Sequence, residues 1–251
     1  MTPSLADARP RNPPDADRFD AHAGTYEATV NAAIGASGDS VGDFARTKAE
    51  LVRRALPATD GLRILDFGCG TGLSTRALSA AMPRRRHLVG VDPSIESIAR
   101  AKQTGGDAIG YEVLEGPTLP FDDGSFDVVF TACVFHHIER HAHLRWLAEL
   151  RRVLASDGSL FLFEHNPLNP LTRRVVRDCP FDEGVVLLSS RYARRIVHTA
   201  GFSASRAHYY YFFPRALAAL RPVERMLARC ALGAQYFVRA RVDQRKTPRD
   251  G

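Results

Sequence analysis

Ile64-Leu-Asp-Phe-Gly-Cys-Gly-Thr-Gly72 is an apolar run that ends in three glycines set two residues apart, and a helix-forming stretch follows directly. Glycine tolerates positive φ and lets backbone approach a ligand closely, so Gly68, Gly70 and Gly72 predict a strand-to-helix turn lying over a bound nucleoside. The spacing is GxGxG. A dinucleotide fingerprint asks for GxGxxG, and position 73 is Leu. Asp66, two residues before the first glycine, suits a ligand ammonium group better than a pyrophosphate.

Outward from this stretch, short apolar runs alternate with helical ones. Strands are predicted over 62–67, 87–91, 109–114, 126–134 and 159–164, with helices over 71–81, 94–103 and 140–154. That alternation signals crossover units, and hence a doubly wound, Rossmann-like α/β sheet. Pro167, Pro170 and Pro180 interrupt the chain after the fifth strand, which marks residues 166–190 as an acceptor-side insertion. A helix over 190–200, a strand over 203–213, an amphipathic Arg-rich stretch over 214–232 and a last strand over 234–242 complete the pattern. Upstream, 18–60 reads as an N-terminal helical cover. Residues 1–17, rich in Pro, Asp and Ala, read as a disordered tail without the apolar core of a secretory signal. The expected organisation is one domain over 18–251.

Two acids stand where strands end. Asp92, in His87-Leu-Val-Gly-Val-Asp92-Pro-Ser, lies about 20 residues beyond the glycines, where a carboxylate accepts both ribose hydroxyls; the competing reading is a helix cap. Glu115, before Gly116, ends the third strand, where it can accept an adenine amino proton while Leu119 and Phe121 pack the ring. In combination, the glycine strand, Asp92, Glu115 and the sequence from Leu119 to Asp127 resemble the class I methyltransferases that use S-adenosylmethionine. The resemblance implies a seven-stranded sheet with an antiparallel last strand. It also implies a cofactor site built from Asp66, Gly68, Cys69, Gly70, Gly72, Asp92, Pro93, Glu115, Gly116 and Cys133. Glu164-His-Asn-Pro-Leu-Asn-Pro and Cys179-Pro-Phe-Asp-Glu further resemble a bacterial small-molecule subgroup.

A methyl acceptor with a hydroxyl must lose a proton, and candidate bases have to project from strand ends four and five. His165 is the first choice, because it follows a strand directly and imidazole titrates near neutrality; His137 is second, with Glu164 beside them. The bland alternative for the His136-His137-Ile stretch is a helix cap or packing under the cofactor. Tyr26, His136, Asn166, Arg173 and Arg177 are expected on the acceptor side. His137, His141 and His143 have no acidic ligand to complete a set, so no metal is expected. Cys133 and Cys69 read as small cleft-lining residues rather than nucleophiles, and the four cysteines form no CxxC pair.

Composition narrows the class. With 45% hydrophobic and 25% charged residues and no apolar run near ~20 residues, neither a membrane span nor wholesale disorder fits. A cytoplasmic location is expected, and peripheral membrane contact is left open. Net charge is −5 over residues 1–139 and +11 over 140–251, which points either to a solvated basic face or to an anionic partner. The expected function is methyl transfer to a small-molecule acceptor, a hydroxyl of an anionic, sugar- or lipid-linked or secondary metabolite. C- or N-methylation of a natural product and RNA methylation are alternatives. Nucleic acid is disfavoured, because Thr131-Ala-Cys-Val134 stands where base methyltransferases carry an Asn/Asp-Pro-Pro-aromatic sequence. A non-catalytic cofactor-binding protein is the remaining alternative.

Overall fold

A computed structural model describes residue 20, residues 23–58 and residues 60–242; the expected tail over 1–17 lies outside them. Strands β1 (Arg63–Phe67), β2 (His87–Asp92), β3 (Gly110–Val113), β4 (Phe126–Ala132), β5 (Leu154–His165), β6 (Phe202–Tyr210) and β7 (Gln235–Val242) form one sheet in the order β3-β2-β1-β4-β5-β7-β6. The first five are parallel, and β7 runs antiparallel to both β5 and β6. This is the seven-stranded Rossmann-like arrangement expected of the sequence.

The central strands are apolar on both faces because helices cover both. One side of the sheet presents Leu65, Val129, Leu160 and Leu162 to α5 (His143–Val153) and α7 (Ser190–Thr199), through Trp146, Leu147, Leu150, Ile196 and Val197. The other presents Ile64, Val128, Phe130, Phe161 and Phe163 to α2 (Val41–Ala55), α3 (Leu73–Ala81) and α4 (Ile95–Gly105), through Ala49, Val52, Leu78, Ile98 and Ala101. Each large side chain so buried contributes about 1.5–3 kcal/mol. The remaining helices are α1 (Tyr26–Ile34), α6 (Pro170–Asp178) and α8 (Glu224–Leu227). A capping box starts α2: Ser40 Oγ accepts from the Asp43 N–H and the Asp43 carboxylate accepts from the Ser40 N–H.

Two expectations shift, and one stretch without an assigned element takes form. Strand six ends at Tyr210 rather than 213, because Tyr211 turns left-handed (φ 60) and the Glu224 carboxylate takes the N–H groups of residues 211, 212 and 213. The amphipathic Arg-rich stretch over 214–232 folds as a 3-10 run, Arg215–Val223, which contains Pro222 and leads into the single turn of α8. The helix expected from 140 begins as a 3-10 turn, Arg140–Ala142, and becomes α only at His143, whose buried Nε2 reaches the Phe135 and Ile138 carbonyls at 2.9 and 2.8 Å.

Candidate active site

Strand order reverses between β1 and β4, and in open α/β sheets ligands bind beyond the strand ends at such a switch point. A cavity of about 670 Å³ opens there, lined from the glycine turn, the ends of β2, β4 and β5, the N-terminal helices and the insertion. Gly68, Gly70 and Gly72 all have positive φ (+76, +52 and +77). The Gly68 and Cys69 N–H groups bond the Val91 carbonyl at 2.8 and 3.0 Å, which ties the turn to β2. At Gly70 a Cβ would meet nothing within 4 Å, so the cavity comes up to bare backbone. At Gly72 it would meet the Tyr111 hydroxyl at 2.6 Å and Ala101 Cβ at 3.0 Å, so that glycine serves packing and does not line the cavity.

Asp92 lies on the wall, 8% exposed, and accepts from the Gly70 and Ser94 N–H groups at 2.8 and 2.9 Å. Burial raises its carboxyl to about 6 against the lowering effect of those two bonds. Pro93, Glu115, Gly116, Cys69 and Cys133 also line the cavity, with Glu115 exposed at the lip. Asp66 stands behind the wall: it is buried, accepts from Thr75 Oγ1 at 2.7 Å, and is raised by burial to about 7. The Thr71 hydroxyl lines the turn and, among the described residues, has no hydrogen-bond partner. An acidic acceptor, a bare glycine backbone and an orphaned hydroxyl around one cavity fit a nucleoside-bearing cofactor.

The other end of the cavity gathers His136, His137 and His165 with Cys133, Lys48 and Asp182. Glu164 is fully buried; its Oε1 accepts from the Phe135 N–H at 3.0 Å and its Oε2 from His136 Nδ1 at 2.6 Å. Glu164 therefore holds His136 and does not itself reach the cavity. Burial opposes the charge on His136, but the Glu164 carboxylate and then Asp182 raise its pKa well above the usual imidazole value. Burial also works to raise the Cys133 thiol, yet the charges of His165 and Lys48 bring it down to about 7. Lys48 Nζ lies 3.8 Å from that sulfur, and Cys133 takes a positive φ of 59 where β4 ends.

Several acceptor-side expectations land elsewhere. Asn166 is buried and donates to the Ala231 and Gly233 carbonyls, fastening the insertion to the lead-in of β7. Arg173 and Arg177 are exposed and do not line the cavity, because α6 turns Thr172 and Val176 inward and Thr172 Oγ1 donates to the Ala234 carbonyl at 2.9 Å. The Tyr26 side chain lies outside the described residues. Lys48 and Asp182 were missed by the sequence reading. Lys48 had a signal, a lysine on the apolar face shared by Ala45, Ala49 and Val52.

Comparison with known proteins agrees with this geometry. Residues 64–158 match the methyltransferase-domain family. The chain is similar to a demethylmenaquinone methyltransferase of Clavibacter sepedonicus, 32% identical over 159 residues, 62% of this chain and 60% of the relative. It is also similar to the 27-O-demethylrifamycin SV methyltransferase of Amycolatopsis mediterranei, 32% identical over 112 residues, 43% of this chain and 40% of the relative. The chain spans three fifths of the length of the first of these and two fifths of the second. In fold it resembles a crystallised S-adenosylmethionine-dependent methyltransferase of Mesorhizobium loti, with a TM-score of 0.57 at 24% identity, covering 77% of this chain and 97% of that one. The glycine turn and the acid ending β2 thus lie within the residues that match a methyltransferase domain, and the sheet has the fold of that class I methyltransferase structure.

Proposed function

We propose that the chain transfers a methyl group from S-adenosylmethionine to a small organic acceptor. The observation that carries this reading is the bare backbone at Gly70 facing the same cavity as the Asp92 carboxylate. When bound, the cofactor supplies a methyl group on an electron-poor sulfonium. Asp92 would hold its ribose hydroxyls, Glu115 and Gly116 its base, and the glycine turn would lie against the nucleoside. The protein's contribution is then to hold the reacting atoms in line and to keep water out.

The names of the two relatives point to small organic acceptors, and the cavity is consistent with one that is partly apolar. Val30, Ile34, Val41 and Phe44 from the N-terminal helices line one part, and the histidines, Cys133 and Lys48 line another. A hydroxyl placed at the polar end would find His165 as its base in that ring's neutral form, which burial favours but the Cys133 sulfur beside it disfavours. Lys48 and Arg145, both on the cavity wall, replace Arg173 and Arg177 as the cations that would hold an anionic acceptor.

Incubation with the cofactor and fractionated host metabolites, read by mass spectrometry, should yield a product heavier by one methylene together with S-adenosylhomocysteine. The absence of both with every fraction would count against the reading. For a hydroxyl acceptor, His165→Ala should lower turnover by about 10²- to 10⁴-fold while S-adenosylhomocysteine affinity stays within a few fold. Near-normal turnover would leave catalysis to positioning alone.

A further inference from the structure

Where β4 ends, the 3-10 turn Phe135–His137 places two consecutive histidines against Asp182, which comes from the 3-10 turn Pro180–Asp182 of the insertion. His136 Nε2 lies 3.3 Å and His137 Nε2 3.5 Å from the same atom, Asp182 Oδ1. One ligating atom from each of the three residues lies within 4.8 Å of the others. All three side chains line the main cavity, and they are 0, 15 and 12% exposed.

Two imidazole nitrogens converge on one carboxylate oxygen, His136 Nε2 through a long hydrogen bond of 3.3 Å and His137 Nε2 at an ion-pair distance of 3.5 Å. The same spacings suit metal ligands. Ligands about 2.0–2.2 Å from a tetrahedral ion stand about 3.3–3.6 Å apart along each edge. The far side of His136 is prepared in the way metal-bound histidines usually are. Its Nδ1–H donates to Glu164 Oε2 at 2.6 Å and the other Glu164 oxygen is held by the Phe135 N–H, so an ion that displaced the proton between His136 Nε2 and Asp182 Oδ1 would meet a ring already oriented. Three segments far apart in sequence therefore meet with two nitrogen donors, one oxygen donor and a carboxylate that orients one of the donors.

We propose that His136, His137 and Asp182 form a binding site for a divalent transition-metal ion of the zinc type, with its fourth position open to the cavity. Two imidazoles and one carboxylate suit zinc and its first-row neighbours, and give too few oxygens for magnesium or calcium. The role of the ion rests on the methyltransferase reading: an acceptor oxygen at the open position would ionise more readily. The binding itself does not rest on that reading. An ion titration needs neither cofactor nor acceptor, so its failure would leave methyl transfer standing, and failed S-adenosylhomocysteine binding would leave the ion site standing.

The test uses the full, untagged chain, stripped with a chelator and titrated calorimetrically with zinc chloride alone, then with cobalt chloride followed by visible absorption. One ion should bind per chain, and cobalt should give the bands of a four- or five-coordinate nitrogen–oxygen site. His137→Ala and Asp182→Asn should each weaken zinc by more than about 100-fold, and Glu164→Gln by about 10- to 100-fold. Unchanged S-adenosylhomocysteine affinity in each variant would show that the fold persists. If the substitutions unfold the chain, the cobalt spectrum of the parent decides alone. Lack of saturable zinc binding by the parent would overturn the proposal, as would parent-like affinity in a folded His137→Ala. So would a thiolate-to-cobalt charge-transfer band that disappears in Cys133→Ser, since it would place the ion on Cys133 and His165.

Discussion

Burial raises the Asp92 carboxyl to about 6 even though the Gly70 and Ser94 N–H groups bond it and favour its charged form. Ribose hydroxyls are held more tightly by the ionised carboxylate than by the protonated acid, in which one oxygen has become a donor. Between pH 8 and 7 S-adenosylhomocysteine affinity should therefore stay level, and below about pH 6 it should fall by about tenfold per pH unit. Titration calorimetry from pH 8 to 5 checks this, and affinity that stays level to pH 5 would remove Asp92 from the ligand. Asp92 was legible as a cavity-lining acid because it ended the strand after the glycines. Asp182 was not: it lies 45 positions beyond His137, and only the folded insertion brings the two together.

At the scale of elements, the glycine turn separates two tasks that its sequence spacing makes look alike. Gly70 borders open cavity, whereas a Cβ at Gly72 would strike Tyr111 and Ala101. Gly70→Ala should carry a backbone strain of about 1 kcal/mol and a clear loss of S-adenosylhomocysteine affinity. Gly72→Ala should carry the same strain plus overpacking of about 1–3 kcal/mol, visible as a much larger drop in melting temperature. Equal melting temperatures in the two variants would contradict this division. The parallel strands were readable because both their faces are buried, which produces runs such as Phe126–Ala132. The face that α6 buries was not readable. Helical spacing put Arg173 and Arg177 together, but which side turns inward is fixed by Thr172 bonding to Ala234, a contact 62 residues away.

Across the whole molecule, the buried acids on and behind the cavity wall cost stability at neutral pH. Asp66 and Asp92 stand at about 7 and about 6, against about 3.9 for an unfolded aspartate. The folded chain thus holds protons that the unfolded chain has released. The stability this contributes is full below about pH 4 and is lost as pH rises through 6 to 7. Asp66→Asn keeps an acceptor for the Thr75 hydroxyl and has no charge to bury, so it should stabilise the chain at pH 8 by on the order of 1–4 kcal/mol relative to its effect at pH 4. Denaturant melts at the two pH values check the sign; an effect independent of pH would show that Asp66 is not held protonated. The central claim is that the glycine turn and Asp92 together bind an S-adenosyl cofactor, and it is tested most directly by calorimetric titration of S-adenosylhomocysteine into the parent and Asp92→Ala. The parent should bind one ligand per chain, and the variant, equally folded, should bind it about 10- to 100-fold more weakly. No saturable binding by the folded parent, or the same affinity in both, would contradict the claim.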